Sequence, residues 1–288
     1  MQQVESLQML IKNNVAGMFG GNRKSKNYGS SCEFADYRDY MPGDDTTKID
    51  WNAYARFDKL YQKLYLDERQ MHTRIYIDGS RSMQYGDNKK AEQALKLTAA
   101  LAYIAVADMD KVSVYVIRGK ELEEVFTGIV GKEAFFREVG KLDEIEFYGD
   151  SEISNAILPT KVGYGDGMSV LISDFLTESS WKKAVEYLCY KKRQVLMVQI
   201  LTPEELDPSY DGRVSLIDSE SVDLSDDRNM KMRITRSMQK AYQEALRDFK
   251  EDIKTFCSKR NVDFISISTD APIERVLFNE LLKAGIMA

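Results

Sequence analysis

The chain has one histidine, His72, among 288 residues. That scarcity excludes most zinc sites, facial-triad iron sites and histidine-based catalytic dyads, each of which needs an imidazole in a fixed place. Cysteine is nearly as scarce. Cys32, Cys189 and Cys257 are odd in number and far apart, forming neither a CxxC pair nor a disulfide framework. This points to a reducing compartment. Long apolar runs are missing too: the longest, from Leu97 to Ala107, is interrupted by Thr98 and Tyr103 and is too short to span a bilayer. The opening residues MQQVESLQML lack the basic start and apolar stretch of a signal peptide. The expectation is a cytoplasmic chain with no membrane insertion.

Positive charge is not in excess either. The formal net charge is -6, and the one compact basic cluster, Arg23, Lys24 and Lys26, reads as a solvated loop. Nothing in this balance calls for nucleic acid or anionic lipid as a partner. What is present, 43% hydrophobic and 30% charged residues, is the composition of a globular protein. The length suffices for one large core with a smaller appendage.

From Thr73 onward, strand and helix patterns alternate. TRIYID (73–78) is a short β-rich run, and residues 88–108 repeat small or apolar side chains at helical spacing. KVSVYVIRG (111–119) and ELEEVFTG (121–128) read as strands around a tight turn. A short helix follows at 132–142, and another opens within SEISNAIL (151–158). MSVLISDF (168–175) has the continuous apolar character of a strand buried on both faces. A helix at 178–193, a strand at 194–201, a long helix at 236–259, a strand at 262–269 and a terminal helix from 272 complete the series. Such alternation implies right-handed crossovers and a mainly parallel sheet flanked by helices, a Rossmann-like α/β fold with ligands at the carboxyl ends of the strands. Residues 1–72 form a separate N-terminal α/β extension: an amphipathic helix, a Gly/Ser/Asn-rich loop, the Pro42-Gly43-Asp44-Asp45 turn and a period-two strand near 60–67. Residues 73–288 form the main domain, and the acidic stretch 218–229 reads as an exposed connection.

Asp78, Ser80 and Ser82 alternate along a loop that follows the first strand of this domain. A hard divalent cation takes about six oxygen ligands, and alternating acid and hydroxyl side chains can converge on one point. A turn that caps the next helix uses the same residues, so the pattern alone leaves both readings open. Two further anchors change the balance: Ser151 at the start of a helix and Asp174 at the end of a strand.

This set resembles the metal-ion-dependent adhesion site (MIDAS) of von Willebrand factor A (vWA) domains, whose pattern is D-x-S-x-S, a mid-chain Thr and a later Asp. The matching positions are Asp78, Ser80, Ser82, Ser151 and Asp174, with Ser in place of Thr at 151. A second resemblance is to the DUF58 family. Its hallmark segment appears as Arg38, Tyr40, Pro42, Gly43, Asp44, Asp45, Ile49, Asp50, Trp51, Ala55 and Arg56, placed just before a vWA-type domain. Mixed charges in close order there read as an ion-paired structural collar, with Trp51 and Tyr54 as packing.

The resemblance implies a bound divalent cation, Mg²⁺ with Mn²⁺ or Ca²⁺ as alternatives, and an interaction module without catalytic residues. The implied partner offers an acidic side chain to the metal and is a MoxR-type AAA+ ATPase acting in protein assembly or remodelling. The alternative is a metal-dependent hydrolase using the same Asp/Ser site. Against it, His72 stands at the far end of its strand from Ser80, and the sequence places no further carboxylate or lysine as a general base. Gly163, Gly165 and Gly167 precede a strand instead of opening a helix, which excludes a dinucleotide loop.

Overall fold

Short apolar runs separated by alanine-rich or amphipathic segments give a six-stranded sheet with helices on both faces. In the computed structural model, the described residues are 28–66, 70–85, 89–165, 167–176, 181–208, 212–216 and 230–277. The N-terminal amphipathic helix, the basic cluster at Arg23, Lys24 and Lys26 and the acidic stretch 218–229 lie outside them. The chain divides into two compact units, 21–70 and the rest.

In the smaller unit, β1 (Tyr28–Asp39) pairs antiparallel with β2 (Tyr61–Leu66), with register shifts between Gly29 and Asp36. The sequence reading had a loop over much of β1. The irregular pairing explains the difference, since the Gly/Ser-rich start lacks a regular alternation. Between the strands, α1 (Trp51–Phe57) is capped by Asp50, whose Oδ1 accepts from the Asn52 and Ala53 amides. The other Asp50 oxygen accepts from the Tyr37 hydroxyl at 2.8 Å and pairs with Lys63 at 3.2 Å. The Tyr37 hydrogen bond, helped by the amides and Lys63, lowers the Asp50 pKa to about 2.

In the larger unit the strands are β3 (His72–Asp78), β4 (Lys111–Arg118), β5 (Glu121–Val130), β6 (Met168–Ser173), β7 (Gln194–Leu201) and β10 (Asp263–Ser268). Their order across the sheet is β10-β7-β6-β3-β4-β5, and every pair is parallel except β4–β5. This is the expected mainly parallel α/β sheet. Alternate side chains enter two cores. Ile75, Ile77, Val114 and Val170 pack on one face, and Tyr76, Tyr115, Leu171 and Met197 on the other. Helix α2 (Lys89–Ala107) lies over the first face, and its buried Ala91, Ala94, Ala99, Ala102 and Ala105 let it approach the strands closely. On the second face lie α4 (Ile153–Ile157), α5 (Lys182–Tyr190) and α7 (Arg236–Ser258); α3 (Lys132–Glu138) belongs to the first. The short helices α6 (Pro203–Leu206) and α8 (Ile273–Arg275) follow the carboxyl ends of β7 and β10. An antiparallel pair, β8 (Gly212–Leu216) with β9 (Met230–Ile234), flanks the acidic connection and was not expected from the sequence.

Two constraints pin β3 at its ends. At its carboxyl end Gly79 has no room for a side chain: a Cβ there would meet Val116 Cγ1 at 2.5 Å and the Ile117 carbonyl at 2.8 Å. Gly79→Ala is therefore expected to lower stability by about 1–3 kcal/mol in urea melts, because the clash is partly with backbone. At the amino end, His72 faces Arg74, Arg193 and Lys111, with its Nε2 2.8 Å from Ser113 Oγ. Burial, then these three cations, lowers its pKa from 6.5 to about 4. The unfolded chain thus takes up the imidazole proton before the folded one does, so the His72 contribution to stability is lost as pH drops from 6.5 towards 4 and changes no further below that. Denaturant midpoints across this window should decline less in His72→Gln than in the wild type.

Candidate functional site

Register brings the predicted site residues to one edge. Asp78 is the last residue of β3, and Ser173 ends β6 on the neighbouring strand, where Ile77 pairs with Ile172. Asp78 and Asp174 are each 1% exposed. The Ser80 amide donates to Asp78 Oδ1 at 3.0 Å, and the Ser173 hydroxyl donates to Asp78 Oδ2 at 2.5 Å. Ser80 Oγ lies 3.0 Å from Ser82 Oγ, so the two hydroxyls of the motif point to one place. Burial, then the nearby Asp174 charge, pushes the Asp78 carboxyl above the ordinary carboxylate range.

Ser151 reaches the same edge through a stitched loop. Gly119, just past β4, donates to the Asp150 carbonyl at 2.9 Å and accepts from the Glu152 amide at 2.8 Å, which makes Ser151 a parallel bridge partner of Gly119. The Tyr148 amide donates to Gly79 O and the Arg81 amide to Gly149 O, both at 2.9 Å, tying this loop to the one that carries Ser80 and Ser82. Ser151 itself is 1% exposed. Arg81 lies between the two serines on the 3₁₀ turn Arg81–Gln84 and lines a groove of about 620 Å³.

Asp174 is held differently, and here the sequence reading missed two residues. Lys90, on the first turn of α2, is buried and donates to Asp174 Oδ2 at 2.7 Å and to Glu205 Oε1 at 2.8 Å. Burial alone would lower the ammonium's pKa, but the attraction of Asp174 and Glu205 outweighs it and raises the pKa above the ordinary lysine value. Glu205 is fixed in turn by a capping box: Thr202 Oγ1 accepts from the Glu205 amide at 3.2 Å, and Glu205 Oε2 accepts from the Thr202 amide at 2.8 Å. Asp174 Oδ1 accepts from the Leu176 amide at 3.0 Å. The intervening Phe175 is in the left-handed region, φ 56°, a conformation that costs a bulky residue about 1–3 kcal/mol. Its ring is buried 5.8 Å from that of Trp181, which fixes it there.

Among the described residues, no group of three or more His, Cys, Asp and Glu side chains is arranged to hold a metal ion. The donor set at this edge is instead two buried carboxylates with serine hydroxyls, all oxygen, the ligand type of a hard cation. On the Asp78 side the hydrogen-bond partners are uncharged hydroxyls and an amide, so that carboxylate fits a cation. On the Asp174 side one oxygen already holds an ammonium.

The hallmark residues lie in the smaller unit and bond to each other there. Arg38 pairs with Asp44 at 2.8 Å and donates to Gln62 Oε1 at 2.8 Å, while Asp44 Oδ2 accepts from the Met41 amide and Asp45 caps a 3₁₀ turn. Gly43, at φ 107°, makes the turn between them. Trp51 and Tyr54 do not pack into a core. They are 62% and 41% exposed and meet edge to face, 6.3 Å apart.

Among the described residues, no helix is long and apolar enough to cross a membrane. In solved structures the chain is similar to the SpRpn10 VWA domain, at 10% identity and a TM-score of 0.41, covering 73% of this chain and 95% of that one. It is also similar to the manganese-loaded Plasmodium vivax TRAP protein, at 14% identity and a TM-score of 0.35, covering 45% of this chain and 57% of that one. Uncharacterized proteins of Mycobacterium bovis and Mycobacterium tuberculosis are 23% identical over 223 residues, which is 76% of this chain and 70% of theirs. The family model described as "Protein of unknown function DUF58" matches residues 36–252, from β1 in the smaller unit to within α7 of the larger. The chain belongs to the DUF58 family.

Proposed function

We propose that residues 73–288 form a divalent-cation-dependent protein-interaction module, preceded by an extension, 1–72, that carries the hallmark segment. The observation that carries this reading is the Asp78 carboxylate, buried at a strand end with, among the described residues, uncharged hydrogen-bond partners and a second acid close by. Asp78, Ser80, Ser82, Ser151 and Asp174 are the residues that would hold the cation. Mg²⁺ suits the set, and Mn²⁺ and Ca²⁺ share its chemistry. Bound there, the cation supplies a coordination position for a carboxylate from another protein.

The chain's own residues do the rest. Asp78 supplies charge, and the serine hydroxyls supply oxygens without adding charge, so the site stays attractive to an incoming acid. Gly79 brings the motif loop against β4, and the stitched loop around Ser151 closes the side of the site. Family membership favours a MoxR-type AAA+ ATPase as the protein offering that acid, in assembly or remodelling of other proteins. No observation favours hydrolysis. Lys90, the nearest basic side chain to Asp174, is held protonated by two carboxylates and is no general base.

Removing the buried repulsion should stabilise the metal-free chain. Asp78→Asn is expected to raise its stability in EDTA by about 1 kcal/mol, as functional sites commonly trade stability for chemistry. Saturating Mg²⁺ should raise the wild-type melting temperature by about 5 °C or more and leave Asp78→Ala unchanged, in differential scanning calorimetry. In a binding assay, a purified MoxR-type ATPase should be retained with Mg²⁺, released by EDTA and not bound by Asp78→Ala. Metal-dependent turnover of phosphoesters or peptides by the pure chain, lost in Asp174→Ala, would overturn the non-catalytic reading.

A further inference from the structure

Lys90 is paired with Asp174 of the site but is not itself a metal ligand, and it is one of the largest fully buried side chains among the described residues. It stands near the amino terminus of a 19-residue helix, where the helix dipole disfavours a cation. An ammonium in that position persists only because two carboxylates face it. The three charged groups are not equally fixed. Asp174 is anchored through Oδ1 to the Leu176 amide. Glu205 is anchored through Oε2 to the Thr202 amide, and its carbonyl accepts from the Tyr242 hydroxyl at 2.8 Å. The ammonium alone sits on a flexible four-carbon stem, with the Tyr85 ring 5.6 Å away. Because it bonds both carboxylates at once, it can release Asp174 and keep Glu205 without breaking any of those backbone bonds.

We infer that Lys90 is a positioning residue that acts as a built-in cation, holding one oxygen of Asp174 in competition with a divalent ion, while Glu205 is the acceptor to which the ammonium withdraws when the ion binds. The inference rests on the metal-site reading above and deepens it. The ion would be held mainly by Asp78, Ser80 and Ser82, and the strength of the Lys90–Glu205 pair would tune its affinity. A purely structural clamp makes the opposite prediction: losing Lys90 would loosen Asp174 and weaken metal binding.

Mn²⁺ binding to the full metal-free chain, followed by electron paramagnetic resonance and calorimetric titration, separates the two. Lys90→Met is expected to bind Mn²⁺ about tenfold or more tightly than the wild type, because a competing charge next to the ion is gone. Lys90→Met/Glu205→Gln removes one charge of each sign and should also bind more tightly, which separates the release of Asp174 from a change in overall charge. Lys90→Arg should return affinity to within about threefold of wild type. Glu205→Gln alone leaves the ammonium to Asp174 and should weaken binding about tenfold. This variant keeps the Lys90–Asp174 pair and so provides a test should the Lys90 variants fail to fold by circular dichroism. Equal or weaker Mn²⁺ binding in the folded Lys90→Met chains, or unchanged binding in Glu205→Gln, overturns the inference and leaves the metal site standing. Binding in Lys90→Met without binding in the wild type supports it. If neither binds, the metal-site reading falls and the inference with it.

Discussion

Two carboxylates buried beside each other at the ends of adjacent strands are the constraint around which this edge of the sheet is built. In a low-dielectric setting neither is tolerated as a bare charge, and each raises the cost of ionising the other. The fold answers the two cases differently. Asp174 receives an ammonium, and removing one partner of such a pair costs about 3–5 kcal/mol. Asp78 receives an amide and hydroxyls, which ease the burial of a carboxylate without neutralising it. The glycine pressed against β4 and the left-handed Phe175 are local costs of holding the two loops in register. Packing of the Phe175 ring near Trp181, and of the apolar strands below, offsets them.

How much of this was readable depended on the range over which each feature is encoded. The strands β3, β4, β6 and β7 were legible because continuous burial leaves a local signature of apolar and β-branched residues. The places of Asp78, Ser80 and Asp174 at or just past strand ends were legible because strand ends in such sheets can be located from those runs. Lys90 was not. In NKKAEQAL it is one of two adjacent lysines opening a helix, and nothing local distinguishes the buried one from its neighbour. Its burial follows from partners 84 and 115 positions away, brought to it by the crossover connections. Glu205 carried a partial signal, since Thr202-Pro203-Glu204-Glu205 is a capping-box pattern. That pattern accounts for one carboxylate oxygen and says nothing of the other. The β8–β9 pair escaped notice because its strands are five residues each and are separated by more than a hairpin turn.

The hallmark segment illustrates the opposite relation between sequence prominence and chemistry. Its charges satisfy one another within the smaller unit: Arg38 with Asp44, and Asp50 with Tyr37, Lys63 and its own helix. Those groups are occupied in maintaining the turn and the cap. Trp51 and Tyr54, expected as packing, are instead on the surface, and Phe57 on the same helix α1 is exposed as well. A segment so recognisable in sequence is thus ordered by its ions and the buried Ile49, while the aromatic side chains of α1 are free of that task.

Charge accounting gives the metal-site reading its internal logic. Asp78, Asp174 and Glu205 with Lys90 amount to three negative charges against one fixed positive charge when all are ionised. Without the ammonium, a divalent ion would meet Asp78 and Asp174 with no compensating charge beside them and would be held tightly, with little attraction left for an acid arriving from another protein. With Lys90 in place, an ion bound there would meet an environment closer to neutral, and the serine hydroxyls would add oxygens without adding charge. Such a site would bind its ion less strongly and leave it more electrophilic. On the proposed reading, affinity for the ion and attraction for a partner's carboxylate are therefore opposed, and a lysine shared between two acids would set where the balance lies.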